Sequence, residues 1–150
     1  MKSIKEIFSF FKKKEEEQKK IQPKERKDHS LERFVDAQVR MYEMALAEVK
    51  SGKKLSHWIW YIFPQLKGLG TSEMSKFYGI NGRDEATQYI NHPVLRDRLV
   101  EITEAVYNNE NSVYEIFGND AIKVRSCMLL FASVCDIPIF KKMIYKYGWK

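Results

Sequence analysis

One short stretch, SHWIWYIFPQLKGLGTS, gathers most of the side chains in this chain that are suited to chemistry. His57 carries an imidazole that can exchange a proton near neutral pH, so it is the candidate acid or base. Ser56 stands beside it. Trp58 and Trp60 offer flat apolar faces for stacking, and the Gln65 amide can select a ligand by its pattern of donors and acceptors. Gly68, Gly70 and Ser72 form a glycine turn leading into a serine-capped segment, where backbone amides can hold an anionic group. If the run is helical, residues two apart point about 200° apart, so one tryptophan faces the core while the other lines a cleft. Such a set suits a planar, polar ligand. Elsewhere, His92 and the helix start at Asp120, Lys123 and Ser126 are placed near the same cleft as further ligand contacts.

Several chemistries lack their signatures. Gly68-Leu-Gly70-Thr-Ser72 has only two glycines, with Glu73 where a dinucleotide motif needs a third, and there is no GxxxxGK[ST]. No GxSxG nucleophile elbow occurs. Cys127 and Cys135 stand in a strongly apolar stretch without zinc spacing, and no carboxylate lies at helical metal spacing from His57 or His92. The cysteines therefore read as buried, reduced thiols, and no metal or cofactor is expected.

The elements that position these residues follow from periodicity. A helix begins near Ser30, its N-cap candidate, with Leu31, Phe34, Val35, Gln38, Tyr42, Ala45, Leu46 and Val49 at 3.6-residue spacing, and ends at Gly52. Ser56 is placed to cap a short buried segment to about Phe63, helix or strand, where Pro64 disfavours helical geometry. Ser72 caps a short helix with Met74, Phe77 and Tyr78. Another helix starts near Asp84. His92-Pro93 opens a longer one, with Leu95, Leu99, Ile102 and Val106 as its stripe. Ser112-Val-Tyr-Glu115 fits a capping box. Asp120 caps a helix whose second half, CMLLFASVC, is apolar nearly all round and belongs at the centre. Pro138 starts the last helix. The spacing predicts an all-α fold, a compact irregular bundle of six or seven helices.

With 150 residues, 44% hydrophobic and 13% aromatic, the chain can bury one domain core and not comfortably two. The net charge of +6 is uneven, since residues 1–30 carry +4 of it. The nearly balanced body gives no strong nucleic-acid signal. Residues 1–30 read as a charged tail and 31–150 as a single helical domain. Within the tail, Ile4, Ile7, Phe8 and Phe11 share one helical face among lysines, so residues 1–14 suit weak contact with a membrane surface or a protein. No apolar run approaches the roughly 18 residues of a membrane span, and the start lacks the pattern of a secretory signal. A cytoplasmic location is expected.

FVDAQ at 34–38, KKLSHWIWYIFPQLKGLG at 53–70, EATQYINHPVLRDRL at 85–99, and IFGNDAIK and SCMLLF within 116–131 resemble the uncharacterised family known as domain of unknown function 1810. The resemblance runs from about Leu31 to Tyr147. It implies a compact, mainly α-helical domain and brings no established activity. Some relatives carry the label calpastatin, an extended inhibitor unlike this aromatic-rich body. The family pattern does not include the charged tail, and the C-terminus stops at GWK, whereas relatives usually run on past a glycine into a further short segment. A site that used that segment would be incomplete here.

The function expected from these residues is that of a ligand-binding helical domain, or an enzyme acting on a nucleotide-like metabolite, built around residues 56–72. His57 would move a proton, Gln65 would select, Trp58 or Trp60 would stack, and Gly68, Gly70 and Ser72 would hold an anion. The alternative is a non-catalytic module recruited to a protein or membrane through its tail.

Overall fold

The structure, a computed structural model, describes residues 4–9, 12–13 and 30–150. The reading of Phe11, and of the charged stretch between Lys13 and Ser30, lies outside the described residues. Residues 30–150 are all-α, as the sequence predicts. They form α1 (Glu32–Ser51), α2 (Ile59–Ile62), α3 (Glu73–Tyr78), α4 (Gly82–Asn91), α5 (Pro93–Tyr107), α6 (Val113–Phe117), α7 (Ala121–Val134) and α8 (Pro138–Tyr147). A 3-10 turn, Gly118–Asp120, joins α6 to α7. The total exceeds six or seven because α2 is a helix of a single turn.

Helix α1 runs along α5 and α2, and α7 packs between α8, α4 and α6. Most of the stripe read from the sequence is buried: Phe34, Ala45 and Val49 are fully buried on α1, with Leu31 and Val35 half-buried, and Leu95, Ile102 and Val106 are fully buried on α5; Met41, not part of that stripe, is fully buried as well. Helix α7 carries Val124, Cys127, Met128 and Phe131 into the core. Burial pushes the Cys127 thiol well above its ordinary pKa. Cys135 is only half-buried, its thiol donating to the Phe131 carbonyl, so the two cysteines differ in access.

Most boundaries follow local chemistry. Gly52 closes α1 at φ +92, where a side chain would be strained. Ser72 caps α3 by accepting from the Ser75 amide, His92 accepts from the Leu95 amide ahead of Pro93, and Ser112 and Glu115 form the reciprocal capping box. Three expected caps differ. Leu31, not Ser30, precedes α1, and the Ser30 carbonyl instead receives Arg33. Ser56 caps nothing, because its amide and hydroxyl both bond to Glu48. Asp120 precedes α7 without a cap bond, its carboxylate being taken by two lysines.

Residues 4–9 are helical, with Ile4 exposed and Ile7 and Phe8 half-buried; Phe8 packs against the core cluster. Among the described residues no helix is long and apolar enough to cross a membrane.

Candidate functional site

The segment entering α2 is held from beneath by a carboxylate. Glu48 is fully buried on the core face of α1. Its Oε1 accepts from the Leu55 amide at 2.7 Å, the Ser56 amide at 2.9 Å and Trp58 Nε1 at 2.9 Å, while Oε2 accepts from Ser56 Oγ at 2.7 Å. Four donors satisfy a charge that would otherwise be very unfavourable to bury. Trp58 is therefore a core residue, fully buried, its ring edge-on to Phe117 at 6.0 Å. Neither Trp58 nor Ser56 presents itself to a ligand, which corrects their expected contact roles.

Trp60 is the outward tryptophan of the pair, half-buried, with Lys123 Nζ 4.8 Å from its ring centroid. The same ammonium lies 2.9 Å from Asp120 Oδ1, and Lys54 Nζ lies 3.0 Å from Asp120 Oδ2 and 5.2 Å from the Trp58 ring. Burial alone would raise the Asp120 pKa. The hydrogen bonds from Lys123 and Lys54 outweigh it and hold the carboxyl below its ordinary value. Asp120 thus stays ionised at neutral pH between two ammonium groups, and the trio carries a net positive charge.

Facing this corner is the glycine loop. A single parallel bridge pairs Leu66 with Ile80, as Lys67 N donates to the Ile80 carbonyl and Ile80 N to the Gln65 carbonyl. Gln65 is 9% exposed, and its side-chain amide has no hydrogen-bond partner among the described residues. Gly68 adopts φ +99 in the open, so its backbone conformation is what calls for glycine. At Gly70 a Cβ would meet the Ser75 Cβ at 2.8 Å and would sit 3.9 Å from Trp60 Cζ3, so this glycine brings the loop against α3 and the indole. Ser72 uses its hydroxyl on the α3 cap, and its carbonyl accepts from Ser75 Oγ. It is not left open for an anion, which corrects that expectation.

Arg33, fully buried, straps the C-terminal end of α3 to α1. Nε donates to the Phe77 carbonyl at 2.8 Å, Nη2 to the Gly79 carbonyl at 3.0 Å, and the guanidinium pairs with Glu85 at 2.7 Å. Nothing in the opening motif announces Arg33, Glu48 or Lys54. For Arg33 and Glu48 the signal is a charged residue on an apolar stripe, with Arg33 beside Phe34, and Glu48 three residues after Ala45 and seven after Met41; Lys54, in the loop after Gly52, has no such signal.

The remaining candidates divide. Ser126, one turn beyond Lys123 on α7, lines a groove of about 410 Å³ shared with Leu66 and Leu69 of the glycine loop. Trp60, Gly70, Asp120, Lys123 and Ser126 are therefore brought to one side of the molecule. His92 is not: its ring serves the α5 cap, and no contact links it to the corner among the described residues. His57 is exposed on the strand of chain between the two residues that Glu48 fixes. No group of three histidine, cysteine or acidic side chains suited to a metal occurs among the described residues.

Comparison with known proteins agrees with this architecture. Residues 28–149 match the family described as protein of unknown function (DUF1810). The chain belongs to that family. It is also similar, at 42% identity and a TM-score of 0.76, to the crystal structure of a conserved hypothetical protein from Mycobacterium tuberculosis, covering 79% of this chain and 87% of that one. Curated proteins give no match. The similarity supports the fold, and the site must be read from its own residues.

Proposed function

We propose that this DUF1810 domain binds a planar, nucleotide-like ligand bearing an anionic group, at the corner formed by Trp60, Lys54, Lys123, Asp120 and the glycine loop. One observation carries the reading: a single carboxylate sits between two ammonium groups, leaving a positive charge in a partly buried setting beside a tryptophan face. An incoming anion completes that charge balance, and the indole gives a planar ring its stacking surface. The unpartnered Gln65 amide supplies hydrogen-bond selection. His57, on the exposed bend next to Trp58, is the group available to move a proton should the ligand react.

A nucleoside monophosphate is a suitable probe. At 100 times its dissociation constant, a ligand that binds only the native state stabilises it by about 2.7 kcal/mol. That is several degrees of melting temperature in a domain of this size. The parent should show the rise. Lys123→Ala and Trp60→Ala should each weaken binding at least about tenfold by calorimetry, and His92→Ala should bind as the parent does. No rise with any nucleotide, or equal binding by all three variants, overturns the reading.

A further inference from the structure

The corner does not end at Trp60. Helix α7 presents Lys123, Ser126, Leu130 and Ser133 along one face, at spacings of three, four and three residues. Lys123 belongs to the charged corner. Ser126, Leu129, Leu130 and Ser133 form one wall of the groove of about 410 Å³, and Leu66 and Leu69 form the other. The loop carrying Leu69 continues directly into Gly70, which abuts Trp60. The groove thus lies next to the charged corner, Ser126 being one helical turn beyond Lys123 and Leu69 the neighbour of Gly70. Its lining is mainly leucine, and Leu69 is 59% exposed and Leu66 38%, an apolar surface with a cationic head end. Arg83 marks the far end: its Nη2 donates to the Ser133 carbonyl at 3.1 Å, and no carboxylate pairs with it among the described residues.

A plain nucleotide would leave this channel empty. An apolar groove beside an anion-seeking corner fits an occupant with charge at one end and hydrocarbon at the other. We infer that the natural ligand is a soluble amphiphile, the planar anionic head proposed above carrying a linear apolar substituent such as an acyl chain. The head is held against Lys54 and Lys123 from the side away from Asp120, the carboxylate the two lysines already share, and the substituent lies along α7 between its leucines and those of the glycine loop. This inference rests on the corner being a ligand site and adds the class of molecule. From Ser126 to Ser133 the helix rises about 10 Å. That length accommodates a chain of about eight carbons before Arg83 is reached.

The test is a series of n-alkyl phosphates from ethyl to decyl, kept below their micelle concentrations and titrated calorimetrically into the full chain. Affinity should improve about three- to fourfold per methylene, the hydrophobic increment for burial, and level off near eight carbons. Leu69→Ser changes an exposed side chain and should leave the melting temperature unaltered while flattening the dependence on chain length. Lys123→Ala should weaken every member alike. Lys123-dependent binding that is indifferent to chain length overturns the groove assignment and leaves the corner standing. No binding by any alkyl phosphate or nucleotide overturns both. Binding to phosphatidate-containing vesicles without binding to monomeric octyl phosphate overturns the assignment of a soluble ligand in favour of a membrane.

Discussion

At the scale of single residues, the most consequential side chain is one with no part in chemistry. Glu48 gives Oε1 three donors and Oε2 one, and this asymmetry separates geometry from charge. In Glu48→Gln the amide oxygen can keep the Leu55, Ser56 and Trp58 donors, while the new NH2 donates to Ser56 Oγ in reverse. Only the charge assistance is lost, so the expected loss of stability is about 1 kcal/mol. Glu48→Ala strands two buried amides and an indole N–H. At about 1–3 kcal/mol for each unsatisfied group, the loss should exceed about 3 kcal/mol. Urea denaturation followed by tryptophan fluorescence measures both. Equal losses for the two variants would show that the ionic charge, not the donor geometry, anchors the segment. The expected stacking partner illustrates the limit of sequence reasoning. Alternation told that one tryptophan faces inward, but only Glu48 beneath Trp58 decides which.

At the scale of elements, helices and most caps were legible because their causes are local. The serine, histidine and capping-box signals each lie within three residues of the amide they satisfy. The long-range devices were not legible: Arg33 bonds to carbonyls at the C-terminal end of α3, and Lys54 meets Asp120 from another part of the chain. The glycine loop shows how such contacts constrain an element. Gly79 has φ −62, a conformation open to any residue, yet a Cβ there would lie 2.6 Å from the Lys67 Cα. The requirement is space for the Leu66–Ile80 bridge. Gly79→Ala should therefore destabilise by about 1–3 kcal/mol through overpacking, and loosen the loop that carries Leu66 and Leu69. Hydrogen exchange reads this locally, through earlier exchange of the Lys67 and Ile80 amides. Unchanged protection at both amides would show that the backbones separate without penalty.

At the scale of the whole molecule, composition is what reads the chain as a charged tail and a helical body. It could not show whether the apolar side of residues 4–9 faces the body, because an amphipathic pattern specifies a buried face and not its partner. Phe8 packs on the core cluster and Ile7 is half-buried, while Ile4 remains 71% exposed. The segment therefore contributes to the fold, and the hydrocarbon it presents to a membrane or a protein is reduced by what the body already covers. Half-burial of one phenylalanine stabilises by about 1–1.5 kcal/mol at the usual area increment. For a domain of this size that corresponds to a few degrees. Phe8→Ser should lower the melting temperature of the full chain by that amount, and removing residues 1–13 should lower it by at least as much. Ile4→Ser, at an exposed position of the same helix, is the control and should leave it unchanged. If truncation and Phe8→Ser both melt with the parent, the contact adds nothing to stability, and the whole apolar face of the segment is available to an external partner.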